Sequence, residues 1–271
     1  MHRWLSRRTF LATGSAFMVP RVSFATPATT RSTAPAEGGL SASFPSHDPD
    51  LVRDMVGASH GRFDRVKELV EARPKMALAE WDWGFGDWES ALGAASHVGN
   101  RPIAEYLISK GARPTLFSAT MLGQLDVVKA FVAASPGVQR IHGPHGITLL
   151  AHAKAGGEPA KPVLAYLEQL GDADPRLESA ALTDADVAAL VGTYAFGPGP
   201  NDRIIIDATK GQLGFLRANA TKRGLAQRGR LEFSPAGAPA ARIKFVVADG
   251  RATTLTVHDP EVVVTARRVT D

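Results

Sequence analysis

The chain has 271 residues, no cysteine, 31 basic and 27 acidic side chains, and a formal charge of +4. Residues 1–25 hold Arg3, Arg7, Arg8 and Arg21 and no acid, so the remainder is neutral. Bulk attraction to nucleic acid is therefore not indicated, despite a pI of about 9.5. The lack of cysteine excludes disulfides, thiolate metal sites and thiol catalysis, and it suits an oxidising compartment.

In chain order, Arg7 and Arg8 stand just before an apolar run from Phe10 to Val19. Arg21 and the small-residue sequence Val22-Ser23-Phe24-Ala25 follow. This order predicts a removable export signal over residues 1–25, cleaved after Ala25. Its apolar run falls short of the roughly 20 residues that span a bilayer, so no stable membrane insertion is expected after cleavage. Residues 26–48, rich in Thr, Ser, Ala, Pro and Gly, read as a disordered spacer. From Asp50 the pattern becomes helical, with Gly61, Gly99 and Gly123 in one column and Leu69-Val70, Leu107-Ile108 and Phe131-Val132 eight or nine residues after them. Pro74, Pro114 and Pro136 close these blocks, and a fourth block runs from Gly156 to Pro175. Short Ala-rich helices before each glycine let neighbours approach closely, and the glycine permits a left-handed turn at the helix end. Beyond Thr183, a predicted N-cap for a helix over 184–191, short Ile/Val/Phe/Thr-rich segments alternate with turn residues. They lie at 192–196, 203–208, 212–216, 231–233, 242–247, 253–257 and 262–266, and predict seven or eight antiparallel strands.

Three resemblances follow. Ser6, Arg7, Arg8, Phe10 and Leu11 resemble the bacterial twin-arginine signal, which implies periplasmic or secreted location by a route that carries folded, often cofactor-loaded proteins. Gly123-Gln124-Leu125-Asp126-Val127-Val128-Lys129, with Gly146–Ala153 and Trp88–Leu92, resembles the ankyrin repeat over residues 49–175, although the glycines step by irregular intervals. Leu190-Val191-Gly192-Thr193-Tyr194 and Leu231-Glu232-Phe233 resemble a small β domain appended to beta-lactamase-like hydrolases, which implies an accessory role. The expected fold is therefore an α+β multidomain chain, with an ankyrin-like α-solenoid of about four repeats over 49–175 and a small antiparallel barrel or sandwich over 183–271.

Candidate chemistry is sparse. Gly57-Ala58-Ser59-His60-Gly61 matches a Gly-x-Ser-x-Gly elbow, but a helix precedes it where that geometry needs a strand, so no catalytic residue is assigned. His142, His145 and His152 cluster without a helical His-x-x-x-His pair, and no metal or other cofactor is assigned. The enlarged finger Trp81-Asp82-Trp83-Gly84-Phe85-Gly86-Asp87-Trp88-Glu89 holds three of the four tryptophans, a pattern that favours a binding surface. The predicted contact residues are Trp81, Trp83, Phe85 and Trp88, with His142 and His145 on the next long finger. The basic run Arg217, Lys222, Arg223, Arg228 and Arg230 reads as a solvated hairpin. The ankyrin resemblance implies recognition of another protein, and with the export signal the expected function is that of an exported, non-enzymatic protein that binds a periplasmic or envelope protein. The alternative is a ligand-binding or hydrolase-accessory protein, with Tyr194, Arg203 and Arg217 converging on a small molecule in the β domain or between the domains.

Overall fold

Among the residues the structure describes, eight α-helices in four consecutive pairs make up the first half of the chain, the first member of each pair after the opening one being the shorter. In chain order they are α1 (Pro49–Ala58), α2 (Phe63–Ala72), α3 (Ala91–His97), α4 (Arg101–Ser109), α5 (Leu116–Met121), α6 (Leu125–Ala134), α7 (Leu149–Ala155) and α8 (Lys161–Leu170). A hairpin of β1 (Glu80–Asp82) and β2 (Trp88–Ser90) stands between α2 and α3. The computed structural model describes residues 43–175, 182–218 and 220–269, so the export signal with Arg7 and Arg8, and most of the spacer, lie outside the described residues.

Local chemistry explains where the inner helices begin. Ser90, Thr115 and Thr148 each accept the third helical N–H of α3, α5 and α7 through a side-chain oxygen. Residues 91–96 are all buried, which their small side chains permit. After α3 and α5 the chain reverses at Gly99 and Gly123, with φ of 75° and 76°. A side chain there would be strained and would also collide with the carbonyls of Ala155 and Pro159.

The second half begins with α9 (Asp184–Leu190), which Thr183 and Asp186 close with a reciprocal capping box. Eight strands follow: β3 (Gly192–Ala195), β4 (Arg203–Thr209), β5 (Gln212–Arg217), β6 (Arg223–Gly229), β7 (Glu232–Pro235), β8 (Arg242–Ala248), β9 (Arg251–Asp259) and β10 (Val262–Arg268). Each pairs antiparallel with its sequence neighbours, and β10 closes on β3. Alternate residues such as Ile204, Ile206, Ile243 and Phe245 point inward and fill the interior together with Tyr194, Phe215 and Phe233. Helix α9 covers the end where β3 starts. There Tyr194 donates from its hydroxyl to the Leu190 carbonyl at 2.6 Å, and Arg268 donates to the carbonyls of Ala189 and Val191.

The expected four-repeat solenoid is corrected, whereas the expected antiparallel β domain is present as a barrel. Helix α3 packs against α1, α4 and α5 and also against α7, so the inner helices gather around it and do not form a one-dimensional row. The β part is a closed eight-stranded barrel, and residues 41–271, helices and barrel together, form one compact unit. The physical reason lies in the 24 residues from Gly99 to Gly123: they hold α4 and α5 but no β hairpin, which lets α7 come up beside α3. Strand β6 was not expected either; Arg-Gly-Leu-Ala-Gln-Arg-Gly has little strand propensity, and pairing on both sides makes it a strand.

Gly99→Ala should destabilise the chain by about 2–3 kcal/mol, the cost of a left-handed alanine plus overpacking. Gly157→Ala, at φ 65° with open space around it, should cost only about 1 kcal/mol. Equal losses in urea unfolding would contradict the packing described at Gly99.

Candidate metal centre

The finger between β1 and β2 is shaped by three successive residues at positive φ, Gly84 (108°), Phe85 (61°) and Gly86 (72°). The Asp82 carboxylate steadies the turn by accepting the Gly84 N–H at 2.8 Å. A left-handed phenylalanine is costly, and it is held by edge-to-face packing on Phe215 of β5, with centroids 5.4 Å apart. This turn sets the facing of β2. Asp87 and Glu89 point inward, 3% and 1% exposed, whereas Trp88 between them is 62% exposed.

The loop before α7 meets the finger. His145 also lies at positive φ, 61°, and its backbone N–H donates to Asp87 Oδ1 at 2.8 Å. Its ring Nδ1 lies 2.7 Å from Asp87 Oδ2. Arg223 of β6 forms an ion pair with the same carboxylate and donates to the Ala236 carbonyl. Gly237 completes the seat, since a Cβ there would strike the Asp87 carboxylate.

Beside this pair, four side chains from four segments converge. They are His60, just after α1; Glu89, on β2; His97, the last residue of α3; and His145. One ligand atom from each lies within 4.8 Å of all the others. His97 Nε2 stands 2.9 Å from Glu89 Oε1 and 3.1 Å from His60 Nε2. His145 Nε2 is 3.4 Å from Oε1, and His60 Nε2 is 3.6 Å from Oε2. Ligands bound at 2.0–2.1 Å to a tetrahedral Zn²⁺ stand about 3.3 Å apart, so these separations bracket that geometry.

The surrounding bonds free the correct atoms. Nδ1 of His145 faces Asp87, and Nδ1 of His60 lies 3.2 Å from the Gly57 carbonyl, which leaves Nε2 of each ring for a ligand. The Trp83 indole N–H donates to Glu89 Oε2 at 2.7 Å. Oε1, buried and facing two imidazoles, makes no hydrogen bond of acceptable geometry. A shared cation satisfies that oxygen and the three ring nitrogens at once.

The electrostatics agree. Burial pushes the Glu89 carboxyl up, but the neighbouring His145 and His97 outweigh it and hold it down at about 2. Burial pushes His145 down, and Asp87 and Glu89 overcome it and raise it to about 9. Asp87 is likewise lowered, with His145 and Arg223 overriding burial. The pocket therefore demands positive charge beside Glu89, from protons or from a metal. Three imidazoles and one carboxylate suit divalent first-row transition metals, and side-chain exposures of 32% at His60 and 26% at His145 give solvent access.

Of the residues expected to bind a partner, the structure brings only His145 into this cluster as a ligand. Trp83 supports it through Glu89. Trp81 is half-buried against the helical core, Phe85 packs against the barrel interior, and Trp88 alone of the finger aromatics faces solvent. His142 is exposed, with Nε2 3.3 Å from the Pro175 carbonyl. Tyr194 is fully buried, Arg203 and Arg217 are exposed, and the three do not converge. His60, Glu89 and His97 were missed as candidate ligands. A signal existed: the dipeptide Ser-His directly follows α1 and forms the last two residues of α3, each serine buried and bonded back to its helix (Ser59 to the Met55 carbonyl, Ser96 to the Leu92 carbonyl).

His152, packed against Phe117 and fully buried, lies beyond His97. Its Nδ1 lies 2.8 Å from the Thr148 carbonyl, and burial depresses its pKa to about 4. The unfolded chain takes up this proton near pH 6.5 and the folded chain does not, so stability should fall as pH drops from 6.5 towards 4. Replacing it by a group that does not titrate, His152→Gln, should flatten this slope, which amounts to on the order of 3 kcal/mol across the window. An unchanged slope in urea unfolding would refute the assignment. No protein-family model matches the chain and no curated protein is significantly similar to it, so the centre rests on its own geometry.

Proposed function

We propose that this chain is an exported metal-binding protein that holds one divalent transition-metal ion through Nε2 of His60, His97 and His145 and Oε1 of Glu89. The observation that carries the reading is the convergence of three imidazole nitrogens on the buried Glu89 carboxylate, whose Oε1 lies at ligand-to-ligand distances from two of them. Four protein donors complete a tetrahedral shell, which favours metal holding over hydrolysis, since hydrolytic centres keep a position for water. Zn²⁺ is the simplest fit to that donor set. Support for export comes from the paired arginines and apolar run of residues 1–25, and a site built from four distant segments suits a route that carries folded proteins.

The full chain, stripped with chelator and titrated with Zn²⁺ and Co²⁺, should bind one equivalent, and Co²⁺ should give the visible bands of a tetrahedral site. Asp87→Asn should lower affinity by about 10–100-fold through misorientation of His145. His97→Ala and Glu89→Gln should lower it further. Saturating metal at about 100 times Kd should stabilise the fold by about 2.7 kcal/mol. Absence of stoichiometric binding, or equal binding by wild type and His97→Ala, would refute the centre. Separately, Arg7→Lys with Arg8→Lys should leave the precursor in the cytoplasmic fraction, and undiminished export would overturn the signal reading.

A further inference from the structure

The barrel closes over a short seam. Strand β10 pairs with β3 only at Arg267 and Arg268, opposite Ala195 and Tyr194, and the Val269 N–H donates to the Thr193 carbonyl at 2.8 Å. That bond fixes the alternation of the antiparallel ladder, so the peptide groups of odd-numbered β10 residues face the β3 side. Strand β3 ends at Ala195. The N–H and C=O of Val263 and Thr265 therefore turn towards a flank where, among the described residues, no strand is laddered. On the other flank β9 pairs with β10 throughout residues 262–267.

Nothing in this stretch discourages a further strand. Residues 262–266 read Val-Val-Val-Thr-Ala, β-branched at four of five positions and without charge, proline or glycine. Val262 is 56% exposed and Val263 63%, and Thr265 is exposed beside them. An open edge of this composition is a template for one more strand.

The flanking charges select which strand. Glu261 stands in the turn before the stretch and Arg267 directly after it, both exposed. Arg267 lies opposite Ala195, which in turn lies opposite Arg203, so two exposed arginines share one row at the closed end of the seam. The edge is thus acidic at one end, apolar in the middle and basic at the other. A second copy laid antiparallel about Val263 sets Val263 against Val263, Val262 against Val264 and Glu261 against Thr265. Arg267 of the second copy is then the diagonal neighbour of Glu261, at about 7–8 Å and within reach of both side chains. The twofold axis repeats this contact at the other end. The paired residues, 261–265, stop short of Arg267, so the seam with β3 stays closed.

We propose that β10 is a self-recognition edge. Two copies of this chain join β10 to β10 across a twofold axis and continue the sheet from one barrel into the other. Five residues a side bury less than the roughly 1,200 Å² of a standard interface, so the dimer is weak and forms with rising concentration.

Sedimentation velocity of the full chain at low salt, from micromolar to millimolar concentration, should show reversible dimerisation. Glu261→Lys and Arg267→Glu should each weaken it about tenfold, because each sets like charges together at both ends. An equimolar mixture of the two variants should recover wild-type association, since each end of the mixed dimer then carries one charge of each sign. Val263→Pro, which removes an N–H that β9 does not use, should abolish association while circular dichroism stays that of wild type. A monomer at every concentration, a dimer indifferent to the single charge variants, a mixture no stronger than either variant alone, or a dimer that persists in folded Val263→Pro would each overturn the proposal.

Discussion

Asp87 is gripped from both halves of the molecule. His145 approaches from the loop before α7 with a backbone and a ring nitrogen, and Arg223 approaches from the barrel. A buried carboxylate survives only with such compensation, and here the compensation also fixes geometry. With Asp87 in place, the His145 ring has one orientation, the finger has one path, and Glu89 two residues on is carried inward to face the other imidazoles. Removal of the carboxylate would leave a buried guanidinium and a free histidine ring, so the cost would extend to the metal donors as well as to packing.

Two side chains link the candidate metal centre to a cavity where the finger meets the barrel. Trp83 donates to Glu89 with its indole nitrogen while its ring walls the cavity. Arg223 does the same on the other side, with Asp87 at one nitrogen and the cavity beside it. The candidate centre and the cavity therefore share supports, and the finger that carries Glu89 also places Phe85 over Phe215. Of the five non-glycine residues at positive φ among the described residues, Phe85 and His145 lie in these two loops, where the contacts that define the site hold them, while Lys210, Leu231 and Asp249 lie in the turns between barrel strands.

Much of the local structure was legible from residues. The Ser and Thr caps, the glycine reversals after α3 and α5 and most of the barrel strands follow from short-range chemistry, which the sequence carries directly. The global arrangement of the helices was not legible, because α3 meets α7 through a contact that no local pattern encodes. Strand β6 was hidden for the same reason. The centre was obscured by a physical inversion in β2: aromatics are expected to bury and acids to face water, yet Asp87 and Glu89 are inside and Trp88 is outside. Histidines 37 and 48 residues apart in sequence (His60, His97 and His145) give no ligand spacing of the helical kind, and only the fold brings them within reach.

The closure of β10 on β3 has a consequence for how this molecule meets others. Each barrel strand pairs with a neighbour on both flanks, but β10 meets β3 only at Arg267 and Arg268, so residues 262–266 are laddered on their β9 side alone. Closure confines intermolecular sheet extension to such short stretches, and association elsewhere on the barrel uses side chains on its outer face or the loops at its rims.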